Sequence, residues 1–168
     1  GLRHITGLKS LERLALPEKT GDLGLAAVSQ LPSLKALYLW TEKPLSERGL
    51  RQLAKLPSLE ELEFGGKEIR GRDLAFLAEL KNLNYLMLQG EFGGAGLVHL
   101  RNHPSLRTLM LGRQPIADKY LAHLASLPRL ENLSLDGTPV TDDGLAQVAK
   151  IPTLRNLSLG GTKIADRG

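Results

Sequence analysis

Three aspartates, Asp118, Asp142 and Asp166, stand 24 residues apart, and Asp143 sets a further carboxylate beside the second. Carboxylates in register are a ligand set for Ca²⁺. The same residue type ahead of an apolar helical stretch caps the helix by accepting from its free amides, and capping is the expectation here. Three histidines, His4, His99 and His123, also occupy equivalent places. On neighbouring helices the last two would stand ~10 Å apart, too far to share a metal bound at ~2.1 Å. His103 stands where the equivalent segments carry leucine or isoleucine, which predicts a half-buried imidazole bonded to backbone. The stretch Gly90-Glu91-Phe92-Gly93-Gly94-Ala95-Gly96 lacks the Lys-Ser/Thr ending of a phosphate loop. It is expected to form a short turn and a frayed helix. Tyr120 is expected on the outer surface near a helix start, without a catalytic partner. No Ser-His-Asp set emerges, and nothing converges on a catalytic centre. The chain is read as non-enzymatic, with no cofactor and no metal.

These residues recur because the chain recurs. Leu-Pro-x-Leu-x-x-Leu-x-Leu, a turn, then Ile-x-Asp-x-Gly-Leu-x-x-Leu-Ala opens at Leu8, Leu31, Leu56, Leu80, His103, Leu127 and Ile151, at spacings of 23 to 25 residues. A fixed period of this length defines a solenoid, in which each unit buries its apolar side against the next. In the unit from Leu127 to Lys150, the alternation Asn132-Leu133-Ser134-Leu135-Asp136 predicts a short strand with one buried face. Asp136-Gly137-Thr138-Pro139 predicts a turn, and Val140 returns to the core. Thr141 and Asp142 are N-cap types, and Leu145, Val148 and Ala149 share one helical face. Ile151-Pro152 ends the helix. Each unit is strand, turn, helix.

The segments Leu130 to Thr138 and Leu154 to Thr162 resemble the leucine-rich repeat signature. The run Val140-Thr141-Asp142-Asp143-Gly144-Leu145-Ala146 resembles its helical, ribonuclease-inhibitor-like subclass, found in the arrays of F-box substrate receptors and in many bacterial proteins. The resemblance covers the whole chain. It implies an α/β leucine-rich-repeat solenoid: a right-handed superhelix with a parallel sheet on the concave face and short helices on the convex one. It also implies a binding surface on the sheet. The family carries Asn or Cys where Thr138 and Thr162 stand, bonded to the turn backbone. Lys67, Glu91 and Gln114 replace that residue in other units, and looser turns are expected there.

The 168 residues are read as one domain of about seven repeats. Both ends cut a repeat at the same place, Gly1 and Gly168 each aligning with Gly144, with no polar cap. That reads as a fragment of a longer array or an excised one. Leu2 and Ile5 at one end, and Leu157, Leu159 and Ile164 at the other, would then allow end-to-end association. Hydrophobic residues make up 42% and charged residues 24%, a globular composition. No run of eighteen apolar residues occurs, so no spanning helix and no membrane partner are expected. Cysteine is absent, which excludes disulfides and thiolate metal sites. With no visible signal peptide, this favours the cytoplasm.

The solvent-facing strand residues form rows. One is Arg13, Ala36, Glu61, Tyr85, Thr108, Asn132, Asn156; the next is Ala15, Tyr38, Glu63, Met87, Met110, Ser134, Ser158. The third is Pro17, Trp40, Gly65, Gln89, Gly112, Asp136, Gly160. The chain's one tryptophan, both methionines and two of its three tyrosines fall in these rows. Aromatic and methionine side chains on a wet face mark an interface. The candidate partner-binding residues are Tyr38, Trp40, Glu61, Glu63, Tyr85, Met87 and Met110, with Gly65 leaving room beside Trp40 for a partner side chain. The C-terminal rows read as solvated polar surface.

With the preceding row (Glu12, Lys35, Glu60, Asn84, Arg107, Glu131, Arg155), this face carries four cations and six anions. Its net charge is −2, against +4 for the chain. No basic groove faces phosphates, so nucleic acid is not the expected partner. The acidic centre favours a protein or peptide with basic and apolar groups. The competing reading is a scaffold segment of a larger protein, an adaptor, ubiquitin-ligase-like substrate receptor or kinase-linked chain, with its activity elsewhere.

Overall fold

The computed structural model describes residues 1–66 and 69–166. Its spine is a single parallel sheet of seven strands in chain order. They are β1 (Arg13–Ala15), β2 (Ala36–Thr41), β3 (Glu61–Gly66), β4 (Tyr85–Gly90), β5 (Thr108–Met110), β6 (Asn132–Ser134) and β7 (Asn156–Ser158). Neighbours pair one repeat apart, so Leu14, Leu37, Leu62, Leu86, Leu109, Leu133 and Leu157 form one row behind the sheet. Inner members of the row are sealed from both sides, whereas Leu157 on the last strand is 38% exposed. In the third and fourth units phenylalanine fills the seam: Phe64 meets Phe76 edge-on at 5.7 Å and stacks on Phe92 at 6.0 Å. Leucines from all units join one continuous core. This is an α/β leucine-rich-repeat solenoid.

The outer segments are mixed. Three described stretches are α-helical: α1 (Asp22–Val28), α2 (Glu47–Leu50) and α3 (Asp142–Val148). Leu2–Gly7, Leu53–Lys55, Gly71–Glu79, Gly94–Leu100 and Asp118–Ser126 wind as 3-10 helix instead. The pairs Leu74/Leu77, Leu97/Leu100 and Leu121/Leu124 are three residues apart, a spacing that aligns in a 3-10 turn as well as in an α-turn. The tighter winding brings backbones together. A Cβ on Gly71 would stand 2.6 Å from the Gly96 nitrogen, and one on Gly96 would stand 2.9 Å from the Gly71 Cα. Of the glycines of 90–96, Gly96 serves this close approach and Gly94 makes room for the Tyr120 ring, and 94–100 is an ordered 3-10 turn in place of the expected frayed helix. Ala149 is exposed just past the last turn of α3, outside the predicted apolar face.

The repeating aspartates do not cap their own helices. Asp118 accepts from the Thr141 amide at 2.9 Å and from its hydroxyl at 2.7 Å, one unit ahead. Asp22 does the same with Ser46, at 3.0 and 2.5 Å. Asp142 accepts from the Ala165 amide at 3.0 Å. Each carboxylate thus joins two units and is spent on backbone and hydroxyl donors. A glycine makes the room: a Cβ on Gly49 or Gly144 would collide with the carboxylate of Asp22 or Asp118. Where Gly94 stands in place of the aspartate, the Tyr120 ring lies over it, so Tyr120 is packed against its neighbour unit and partly buried.

The turn substitutions resolve individually. Thr138 and Thr162 donate to the carbonyls of Leu135 and Leu159 at 2.6 and 2.8 Å. Gln114 is buried and donates to the Leu88 carbonyl at 3.1 Å, so its turn is held rather than loose. The expectations for Lys67 and Gly168 lie outside the described residues. His103 is fully buried, not half-buried, at 2% exposure, and its Nε2–H donates to the Leu80 carbonyl at 3.0 Å.

Candidate functional site

Residues two apart on a strand face the same way, which places three rows on the open side of β2–β5. Register puts Tyr38, Glu63, Met87 and Met110 side by side, with Glu61 beside Tyr85 and Trp40 beside Gly65 and then Gln89. All seven candidate residues are half-buried. They form one continuous face across four strands. Ala36, in the same rows, is covered.

What covers Ala36 is a residue that the sequence reading left out of the candidate set. The Arg13 guanidinium crosses Ala36, lies 5.6 Å from the centre of the Tyr38 ring and pairs with Glu61 at 3.2 Å. It also donates to the Tyr38 hydroxyl, which in turn donates to Glu61 at 2.9 Å. Glu61 is therefore engaged within the chain, by Arg13 and by the Tyr38 hydroxyl. The signal was present in the row order Arg13-Ala36-Glu61, where a small residue between opposite charges lets the long side chain span two strands. Burial and then the Glu61 carboxylate push the Tyr38 hydroxyl above its ordinary pKa.

The Glu63 side chain makes no hydrogen bond or ion pair among the described residues. Its burial, then the neighbouring Glu61, hold its pKa above the usual carboxylate range. Tyr85 is raised too, by burial and then by Glu63. Both groups are underhydrated, and both remain at the surface. Trp40 departs from expectation in a different way. Its ring lies on the Gly65 backbone, where a Cβ would collide with Cζ3 and Cε3. The space beside Trp40 is filled by its own indole.

Beyond the patch, the polar rows are internally bonded. Asn156 donates to Asn132 at 2.6 Å, and Asn132 to Thr108 at 3.0 Å. Asp136 accepts from Ser158, Ser134 and the Gly160 amide, and the serine hydroxyls hold its pKa below the ordinary value. Ion pairs Lys35–Glu12 and Arg107–Glu131 cross adjacent strands at the rim. Among the described residues no cluster of three His, Asp or Glu side chains could hold a metal, and no helix is long and apolar enough to cross a membrane.

No family model matches the sequence, and no curated protein matches it. Solved structures do. An internalin of Listeria monocytogenes, InlF, superposes with a TM-score of 0.67 at 19% identity, covering 95% of this chain. The match spans 51% of the internalin, so this chain corresponds to about half of that one. The likeness agrees with the leucine-rich-repeat fold read from the strands and their register.

Proposed function

We propose that the chain is a non-catalytic interaction module that binds a protein or peptide on its concave sheet. The observation that carries this reading is the continuous half-buried face of Tyr38, Trp40, Tyr85, Met87 and Met110, set by strand register. The aromatic rings gain from being covered because their apolar area is large and they have only two side-chain torsions, and the methionines adapt their shape to what covers them. Glu63, unpaired and underhydrated, gains from a cation brought against it. Glu61 contributes through the Arg13–Tyr38 cluster that stiffens the rim. Arg13, Tyr38 and Glu61 together form a preorganised border, which lowers the entropic cost of docking.

The finer assignments are part of the proposal. One domain of seven repeats starting at 8, 31, 56, 80, 103, 127 and 151 agrees with seven strands in order. The helical subclass is supported by α1 and α3, while the 3-10 segments of the middle units depart from it.

The test begins with a photo-crosslinking residue at position 87 and another at convex position 98. A partner captured from 87 alone is then purified and titrated directly. Trp40→Ala and Tyr85→Ala are each expected to weaken that complex by about 2 kcal/mol or more. Unchanged affinity in both variants would overturn the reading.

A further inference from the structure

In the turn after β5, Arg113 holds a left-handed backbone, φ 61°. Gly66, Gly90, Gly137 and Gly161 occupy this place in the flanking units, so the chain departs here from a row of glycines. A bulky residue in this conformation is disfavoured, and such outliers gather where a side chain is needed for binding. The arginine is also seated. A Cβ on Gly137 would stand 3.2 Å from the Arg113 Cγ, so the bare turn of the next unit carries its aliphatic stem. The Arg113 amide donates to the Asp136 carbonyl at 2.6 Å and ties the two turns together.

Arg113 lines an open groove of about 490 Å³ at the C-terminal ends of β4–β6. Met87 and Met110 line it as well, so the groove continues the proposed binding face. Its lining comes from β4 and the units that follow. The guanidinium is exposed and forms no ion pair or side-chain hydrogen bond with another described residue. Two carboxylates lie near it. Asp136 lines the same groove, and its oxygens are taken up by the Ser134 and Ser158 hydroxyls and the Gly160 amide. Glu91 shares the adjoining hollow at the loop edge and makes no ion pair with Arg113. A planar guanidinium with free donors matches a carboxylate in two parallel hydrogen bonds, and an apolar neighbour that excludes water strengthens the pair.

We propose that this groove receives an aspartate or glutamate side chain of the bound protein, its carboxylate on the Arg113 guanidinium and its stem against Met110. The proposal rests on the concave-face reading and adds to it a residue that the partner must present. With Glu63 on β3 and Arg113 beyond β5, opposite charges stand two strands apart and set the direction in which a partner lies across the sheet.

The probes are octapeptides of Leu, Tyr and Gly with a single central Glu, Asp or Gln, blocked at both ends so that the side chain is the only carboxylate. They are titrated to millimolar concentration at low ionic strength against ¹⁵N-labelled protein and followed by backbone amide and arginine Nε–H shifts. The Glu and Asp peptides are expected to shift the Gly112 and Gly137 amides and the Arg113 Nε–H. They should bind at least about threefold tighter than the Gln peptide. Arg113→Gly installs the residue of the neighbouring units, and in this variant the preference for Glu over Gln is expected to vanish. Equal affinity for Glu and Gln, or a preference that survives Arg113→Gly, overturns the proposal. If peptides shift the Tyr85 and Met87 amides with no preference for the acid, the groove proposal falls and the concave-face reading stands. If no peptide shifts any residue of β2–β5, both fall.

Discussion

Asp118 takes both donors of Thr141, the amide at 2.9 Å and the hydroxyl at 2.7 Å, although the two belong to different repeats. The carboxylate sits where a side chain on Gly144 would have to go. A sequence motif that looks like a local helix signal is in this way a joint between units. Hydrogen bonds to a charged group contribute about 1.5–3 kcal/mol, more than neutral ones. Asp118→Ala is expected to lower the unfolding free energy by about 1–3 kcal/mol in urea melts. Asp118→Asn keeps the acceptor for one donor and should fall between. In the double variant Asp118→Ala, Gly144→Ala, the added methyl enters space the carboxylate has left, so its cost should be less than the sum of the single costs. Additive losses would show that the joint is not coupled.

The Trp40–Gly65 contact gives a spectroscopic test. Gly65→Ala places a methyl group against the indole and against the Gln89 carbonyl at 2.7 Å. The ring is expected to swing toward solvent, shifting the emission of this single tryptophan to the red, with a loss of stability. A blue-unshifted, unquenched spectrum identical to the parent would mean that the ring is not held by the glycine.

His103 predicts a pH dependence. Burial lowers its pKa below the ordinary histidine value, outweighing the hydrogen bond to Leu80, with Lys81 adding to the lowering. Its Nδ1 makes no hydrogen bond among the described residues, and the backbone of Leu77, like that of Leu80, only partly offsets the burial of a charged ring. The unfolded chain therefore binds this proton first. Stability from this residue is full above the unfolded pKa of about 6.5 and is lost as pH falls through that value toward the lower folded one. His103→Leu restores the residue found at Leu31, Leu56, Leu80 and Leu127. The Leu80 carbonyl still accepts from the Leu83 amide at 3.0 Å. Urea melts from pH 7 to 5 should show a shallower decline for the variant, and parallel declines would refute the assignment.

Arg113 occupies a left-handed backbone position, φ 61°, where Gly137 (φ 68°) and Gly161 (φ 69°) stand in the next two units. A non-glycine residue there costs about 1–2 kcal/mol, offset in part by the greater freedom of glycine in the unfolded chain. Arg113→Gly is expected to raise the thermal midpoint, and a lowered midpoint would show that the arginine side chain contributes more than the backbone loses.

Much of this architecture was written in the sequence. Leucine spacing set the strands and their register, because a one-residue slip would turn Leu37, Leu62 and Leu86 outward. The rows on the open face follow from that register, so Tyr38, Glu63, Met87 and Met110 could be placed together without coordinates. Two kinds of fact were hidden. Leu-x-x-Leu spacing does not separate a 3-10 turn from an α-turn, and the choice at Gly71–Glu79 and Gly94–Leu100 follows from how closely neighbouring backbones approach. Side-chain reach was the other. That Trp40 lies on Gly65 and Arg13 spans Ala36 depends on rotamers, which periodicity does not encode.

The exchange of Asp118–Gly144 for Gly94–Tyr120 gives these two seams complementary shapes, a bulky side chain against a bare glycine, whereas Gly71 and Gly96 meet glycine to glycine. Copying the segment that carries both Asp118 and Tyr120 directly after itself would seat a ring on a carboxylate. Where repeats are joined anew, such a seam sets a steric condition that the new neighbour must meet.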